Sequence, residues 1–349
     1  MMSNARSFAL LALCALTLAA RPARADDALT LVGGNFPPSV VDVEDIVAER
    51  AGFYAQEHLK VTKDFAGNAA ACFSAVSSGK ADICSSSFEP AILGYSKGVR
   101  IQFFLSRHPR YDYTLAVPSD SPIKTLADFK GADIGETNNG STTEVSTNSV
   151  LAGAGLHRND YSFTPIGTGP QALTALTAKK VDALSFPMQE LAIMHVVAGL
   201  NFRTFPEPRI ADVQNSGVGA SPATMAAKPD LLARFSRAMV KAYIFVRVNP
   251  QASAKMFLDG TNQKATPALL ALITQEIESL EPMFPAYDLS DAHIGGITLR
   301  GVELYCKFFE DAGLTPTLVP GPELVTNRFI AFANNFDHKK VIAEAKAWR

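Results

Sequence analysis

Short β-branched or aliphatic runs alternate with amphipathic helical patterns over the first two thirds of the chain. "ALTLVG" (28–33) is followed by a helical pattern over 44–56, then "LKVTKDF" (59–65), a helix over 69–78, "ADICS" (81–85), a helix over 89–97 and "VRIQFFL" (99–105). This alternation predicts a mainly parallel sheet with helices on its faces. Asp42 stands at an N-cap position with Glu44 and Asp45 in the first turn, and Gly79 and Gly98 stand where helices end. A second series then starts: "TLAVP" (114–118), a short helix in "TLADFKG", "ADIGE" (132–136), a helix over 141–152, "YSFTPIG" (161–167), a helix over 170–178, "VDALSF" (181–186), a helix over 188–198 and "NFRTF" (201–205). After Pro206 the pattern changes to one strand, "SGVGAS" (216–221), and long helices over 229–248, 250–258, 266–281 and 291–312, with a closing one from about 336 to Trp348.

One phrase occurs twice. "SSGKADICSSSFEP" (77–90) returns as "TAKKVDALSFPMQE" (177–190), each running from a helix end through a Lys-x-Asp to a short apolar strand and a loop. The pair predicts the same structural step in two lobes built on one plan, with Asp82 and Asp182 shaping the helix-to-strand turn. Roughly 320 residues past the N-terminal segment exceed what one core usually organises. The chain is therefore divided into lobe 1 (26–112 and 214–349) and lobe 2 (113–213), with crossings near 106–115 and 206–218.

The N-terminus changes the expected location. Arg6, an apolar run from Phe8 to Ala20 and "RPARA" before Asp26 have the order of a secretory signal over 1–25. The apolar run is about 13 residues, short of the roughly 20 that cross a bilayer, so a periplasmic protein without membrane insertion is expected. Net charge is −2 with Lys and Arg scattered, which gives no footprint for nucleic acid or an anionic membrane. Cys72, Cys84 and Cys306 remain after cleavage, in a compartment that oxidises thiols. A Cys72–Cys84 bridge requires its helix and strand to be neighbours; buried free thiols are the alternative.

Catalytic chemistry is not written here. The six histidines lie far apart, no Cys/His spacing suits a metal, and no G-x-S-x-G elbow occurs. "GETNNGST" (135–142) has glycines at Walker-type separation but lacks the lysine. What remains is a loop running into a helix that starts Ser141, Thr142, Thr143, whose free N–H groups and dipole suit an anion; simple helix capping is the alternative. Open parallel sheets bind ligands at the carboxyl ends of their strands. Those ends are Asn35 and Phe36, Gly67 and Asn68, Ser86 to Phe88, Asn139 to Thr143, Gly167 and Thr168, and Pro187 to Gln189. Phe36 and Phe88 have rings able to stack on a planar ligand, with core packing as the alternative. Arg110, or Arg107, at the crossing is a clamp for a carboxylate or sulfonate, with a solvated hinge charge as the alternative. A neutral, polar set of this kind suits holding a small molecule, with no cofactor and no catalysis.

"VAERAGFYAQEHLKVTKDFAGNAAACFSAVSSGKADICSSS" resembles the first-lobe signature of periplasmic solute-binding proteins of the nitrate/sulfonate/taurine type, which serve ABC importers. "SDSPIKTLADFKGADIGETNNGST", "LAGAGLHRNDYSFTPIGTGPQALTALTAKKVDAL" and "HVVAGLNF" resemble the second-lobe run in the same order. The resemblance covers nearly all of 28–205 and thins in the C-terminal helices. It implies an α/β, two-lobed periplasmic binding protein fold of type II, each lobe a mainly parallel sheet flanked by helices, with extra C-terminal helices. It also implies a monomer that closes over a solute and presents it to a permease in the inner membrane. By position, Ser141, Thr142 and Thr143 match the helix start that holds the anionic group in sulfonate binders, and Ser86, Ser87, Phe88 and Glu89 match the facing loop. Phe186, Pro187, Met188 and Gln189 depart from the aromatic-acid-Pro pattern of many relatives. That departure turns the expected ligand from taurine toward an aliphatic or aromatic sulfonate or carboxylate. Two other classes share the lobes: an enzyme of pyrimidine (thiamine-precursor) synthesis, and a sensor reporting to a membrane receptor.

Overall fold

The computed structural model describes residues 26–33, 40–110, 113–139, 142–205, 213–280, 289, 291–311 and 313–349, and only the backbone of 142, 143, 145, 146 and 189. The expected signal segment, Asn35, Phe36 and Ser141 lie outside the described residues.

The chain begins with β1 (Asp27–Gly33), a 3-10 turn over 40–42, α1 (Val43–Arg50), α2 (Phe53–Gln56), β2 (Leu59–Phe65), α3 (Ala69–Ser77), β3 (Ile83–Ser87), α4 (Glu89–Tyr95) and β4 (Gln102–His108). It then builds β5 (Tyr113–Pro118), β6 (Asp133–Glu136), α5 (Thr142–Gly153), β7 (Ser162–Pro165), α6 (Pro170–Thr177), β8 (Ala183–Pro187), α7 (Met188–Ala198) and β9 (Phe202–Phe205). It returns through β10 (Ser216–Ala220) to α8 (Pro222–Ala227), α9 (Pro229–Val248), α10 (Pro250–Gly260), α11 (Pro267–Ser279), α12 (Leu299–Asp311), α13 (Gly321–Leu324), α14 (Ile330–Ala333) and α15 (His338–Ala347).

Two five-stranded sheets result, ordered β2-β1-β3-β10-β4 and β7-β6-β8-β5-β9. In each, the first three strands pair in parallel, and the strand arriving from the other sheet inserts antiparallel in fourth place. The second sheet is thus the first written again, with β5 where β10 stands.

The repeated phrase accounts for part of this identity. After α3, Gly79 takes a positive φ of 74°, and after α6 Lys179 takes one of 55°. Lys80 N–H then donates back to Ala75 O at 2.9 Å, and Lys180 N–H to Ala175 O at 2.9 Å, the wrap that ends a helix on a left-handed residue. Asp82 N–H donates to Thr30 O (3.0 Å) while its carboxylate accepts from Thr30 N–H (2.9 Å). Asp182 N–H donates to Asp133 O (2.8 Å) and its carboxylate accepts from Asp133 N–H (2.9 Å). Each aspartate fixes the entering strand against its central neighbour with two bonds.

Local chemistry sets the C-terminal helices. Ser221, Asn249, Thr266 and Asp337 cap α8, α10, α11 and α15 by accepting from backbone N–H groups three residues on, each contact contributing about 1 kcal/mol. Elsewhere the elements differ from the expected ones. The helix over 44–56 breaks in two because Gly52 takes a φ of 74°. Asp42 precedes α1 but makes no capping bond, because its carboxylate turns to Arg107 at 3.5 Å. The strand expected at 99–105 runs instead over 102–108, and the helix expected from 291 starts at Leu299.

One apolar cluster packs α1, α9 and α10 under the first sheet. A second runs from Phe73, Phe88 and Phe103 past Tyr305 and Phe309 of α12 to Leu115 and Ile134 of the second sheet and Leu151 of α5. A third, smaller one joins α6 and α7 to the other face of the second sheet. Cys72 and Cys84 are joined as a disulfide with Cα atoms 5.8 Å apart, tying α3 to β3. Cys306 is buried and unbridged, its thiol pushed up to about 12 by burial and by the charge of Glu303.

Candidate functional site

The carboxyl ends of the two sheets face each other. α4, which leaves β3, packs on α5, which leaves β6; α7, which leaves β8, packs on α11 of the returning chain. The candidate site is the polar edge between them.

On the first edge, Gly67 has a φ of 80° and Asn68 caps α3, its side chain accepting from Ala71 N–H at 2.8 Å. Ser86 and Ser87 end β3 opposite Gly217 and Ser216 of β10, Ser86 half-buried and Ser87 buried. Phe88 corrects the expectation of a ligand-stacking ring: it is fully buried, and its ring stacks on Phe103 at 3.9 Å between centroids. Core packing has claimed it, because β4 brings an aromatic directly alongside. Glu89 is also fully buried and accepts a 2.6 Å bond from the Tyr305 hydroxyl of α12. Arg110 is exposed just beyond β4.

Arg107, the second choice for a clamp, is buried and occupied. Its guanidinium donates to Ser85 Oγ (2.5 Å), Glu44 Oε2 (2.8 Å) and the Val41 carbonyl, and lies 3.5 Å from Asp42 and 3.4 Å from Asp45. Burial works against its charge, but the Asp45, Glu44 and Asp42 carboxylates hold it protonated well above the ordinary range. Burial raises Glu44 above the usual carboxylate range in spite of Arg107. Next to it His108 is driven down to about 3 by burial and by the Arg107 charge. That ring is neutral, with Nδ1 3.0 Å from Ser216 Oγ.

The crossings are stitched together here. Gln214 Nε2 donates to Ser106 Oγ (2.6 Å) and to His108 O (3.2 Å), Asn215 N–H donates to His108 O (3.2 Å), and Phe88 N–H donates to Asn215 O (3.1 Å). Sequence reasoning missed Gln214, Asn215 and the acids around Arg107. The signal for the former was a run of polar residues immediately before a strand; the acids read as ordinary first-turn charges of a helix.

On the second edge, Asn139 is exposed, and Thr142 and Thr143 are the first two residues of α5, their side chains outside the described set. Pro187 is half-buried and Met188 is exposed at the start of α7; the side chain of Gln189 is not described. Behind this edge Glu136, Ser149, Thr147 and Ser185 are buried, and the Thr147 hydroxyl donates to Ser185 Oγ. Among the described residues, no group of three His, Cys, Asp or Glu is placed to hold a metal, and no helix is long and apolar enough to cross a membrane.

Paired sheets of one strand order, joined by two crossings with polar strand ends between them, define the periplasmic binding protein fold. The chain belongs to the NMT1/THI5 like family, which matches residues 43–253, more than half of it. It is 20% identical over 302 residues to the riboflavin-binding protein RibY of Chloroflexus aurantiacus, covering 85% of this chain and 84% of that one. Among solved structures it is similar to the alkanesulfonate-binding protein SsuA of Xanthomonas axonopodis pv. citri bound to MOPS (TM-score 0.65, 16% identity, 87% of this chain and 99% of that one). It is also similar to the periplasmic nitrate-binding protein NrtA of Synechocystis PCC 6803 (TM-score 0.62, 10% identity, 93% and 99%). At these identities the structural likeness shows the fold.

Proposed function

We propose that the protein is the extracytoplasmic solute-binding component of an ABC importer, which closes its two lobes over one small organic solute and offers it to an inner-membrane permease. The observation that carries this reading is the pair of matching sheets with their carboxyl edges opposed. Binding drives closure because the solute touches both edges only when they are together. The sheet membership of the strands supports a division into lobes 26–112 with 214–349, and 113–213. The signal-like segment 1–25 supports a periplasmic location.

The solute is a sulfonate or carboxylate whose charged group sits at the N-terminus of α5, among Ser141, Thr142 and Thr143, with Ser86, Ser87, Asn68 and Arg110 opposite. The naming of SsuA and NrtA for alkanesulfonate and nitrate supports this class. A neutral aromatic heterocycle is the second reading. It is favoured by the riboflavin-binding relative and by Arg107 being already committed to three carboxylates. Calorimetry with alkanesulfonates, aromatic carboxylates and riboflavin tests both. Binding of a sulfonate or carboxylate, weakened by about 1–3 kcal/mol when Ser141 and Thr142 are both replaced by Ala, supports the first; riboflavin binding that ignores this change supports the second. Turnover of any of these compounds by the purified protein would overturn the transport reading.

A further inference from the structure

The two seams between the sheets differ in kind. Where α5 meets α4 and α12, the apolar cluster of Phe88, Leu151, Tyr305 and Phe309 runs across. Where α7 of the second sheet meets α11 of the returning chain, a carboxyl stands on each side: Glu190 in the first turn of α7 and Glu276 near the end of α11, both half-buried. We propose that Glu190 and Glu276 make the α7–α11 seam a proton-sensitive latch, so that acidification favours the closed form. The inference rests on the hinge-closing reading above.

The charges around the pair leave the repulsion standing. Glu190 accepts a backbone hydrogen bond from Gly169, at the start of α6, and burial raises its pKa against that bond. Burial pushes Glu276 up to about 7, and the charge of Glu190 adds to this. Around α11, the charged groups on α10 are Lys255 and Asp259, both exposed, and Asp259 is paired with Arg50 at 2.9 Å. Asp42 on the 3-10 turn is paired with Arg107, and Glu278 on α11 itself is exposed. On α7, His195 is exposed with Nδ1 3.0 Å from Leu200 O, and β8 carries no charged residue. Among the described residues, the charge that acts on Glu276 is that of Glu190.

With the lobes apart, each carboxyl returns to water and titrates near the ordinary 4.3. Between that value and about 7 the closed form therefore holds a proton that the open form lacks. Closure is disfavoured above pH 7, strengthens as pH falls through 7, and gains nothing more below the ordinary value. The closed-to-open ratio rises at most about tenfold per pH unit within that window for each proton taken up on closure.

Small-angle scattering of the mature protein at pH 8.0 and 5.5 tests this. The radius of gyration is expected to fall on acidification in the wild type, to fall less in Glu276→Gln and in Glu190→Gln, each of which leaves one half-buried carboxyl, and to be small at both pH values when both are replaced by Gln. Glu278→Gln, on the exposed face of the same helix, should respond as the wild type does. A wild-type envelope indifferent to pH, or Gln variants that respond as fully as the wild type, overturns the latch. Scattering with ethanesulfonate, benzoate and riboflavin at pH 8.0 separates the two ideas: compaction by a ligand without compaction by acid leaves hinge closure standing and removes only the latch.

Discussion

The first and second sheets share a strand order and a turn down to single hydrogen bonds, yet their cleft edges are held by opposite means. Ser85 and Ser185 stand 100 residues apart at matching places in β3 and β8. Ser85 accepts from a guanidinium surrounded by Asp42, Glu44 and Asp45; Ser185 accepts from the neutral hydroxyl of Thr147. The first lobe also carries a disulfide behind this edge and packs against α9 below. The second is backed on its α6 and α7 face by a smaller cluster. The difference teaches that a common scaffold needs only helix ends and strand entries in common. The edges were free to diverge, one built on an ion-pair cluster around Ser85 and the other on a pair of hydroxyls at Ser185.

Removing Arg107 should break the charged edge and produce the largest effect. Arg107→Met leaves the buried carboxylates of Asp42, Glu44 and Asp45 without their counter-ion, and stripping one partner from a buried charge cluster costs about 3–5 kcal/mol. The matching neutral contact loses far less in Thr147→Val, about 1 kcal/mol, because both partners are hydroxyls. Urea unfolding of the two variants side by side measures the contrast. Equal losses would mean that the two edges are energetically alike despite their chemistry.

The same contrast explains what could be read from the chain alone. The scaffold is local and legible: the repeated Lys-x-Asp and the helix-ending Gly79 and Gly98 marked their elements, and α9 runs over the expected 229–248. The charged edge is not local. Ser106, Arg107 and His108 look like the start of a loop, yet they finish β4, because partners 63 to 108 positions away satisfy them inside the fold. Phe88 looked available for a ligand because nothing in its own segment reveals that Phe103 lies flat against it. Helix 44–56 carried its own break at Gly52, a signal that periodicity outweighed.

The shared turn supplies a sharper test of likeness. Asp82→Ala and Asp182→Ala each remove a carboxylate that accepts a strand N–H at 2.9 Å. About 1–2 kcal/mol of stability should go with each, the usual range for a hydrogen bond to a charged group after allowance for exposure. Asp82 has one further partner, Lys228 Nζ at 2.6 Å, in a bond that is largely exposed. Its loss should therefore exceed that of Asp182 by less than about 1 kcal/mol. Thermal unfolding of the two variants decides this, and a difference several times larger would show that the two turns, though drawn alike, carry different loads.

The smallest expected effect concerns the one place where the second copy of the turn is written less favourably than the first. Gly79 and Lys179 both hold positive φ, 74° and 55°, at the residue where the helix ends. A side chain in that left-handed region crowds the following carbonyl at a cost of roughly 1–2 kcal/mol, which glycine avoids. Glycine in turn loses more chain entropy on folding, which returns part of that gain. Lys179→Gly should therefore stabilise the protein by about 0.5–1 kcal/mol, while Gly79→Ala should destabilise it by a similar amount. The two changes are mirror images only if the backbone bonds from Lys80 to Ala75 and from Lys180 to Ala175 survive both of them. Chemical unfolding gives the stability changes, and amide exchange at Lys80 and Lys180 reports on the bonds. Were Lys179→Gly to destabilise, the lysine side chain would be supplying something in the second lobe that its glycine counterpart does not supply in the first.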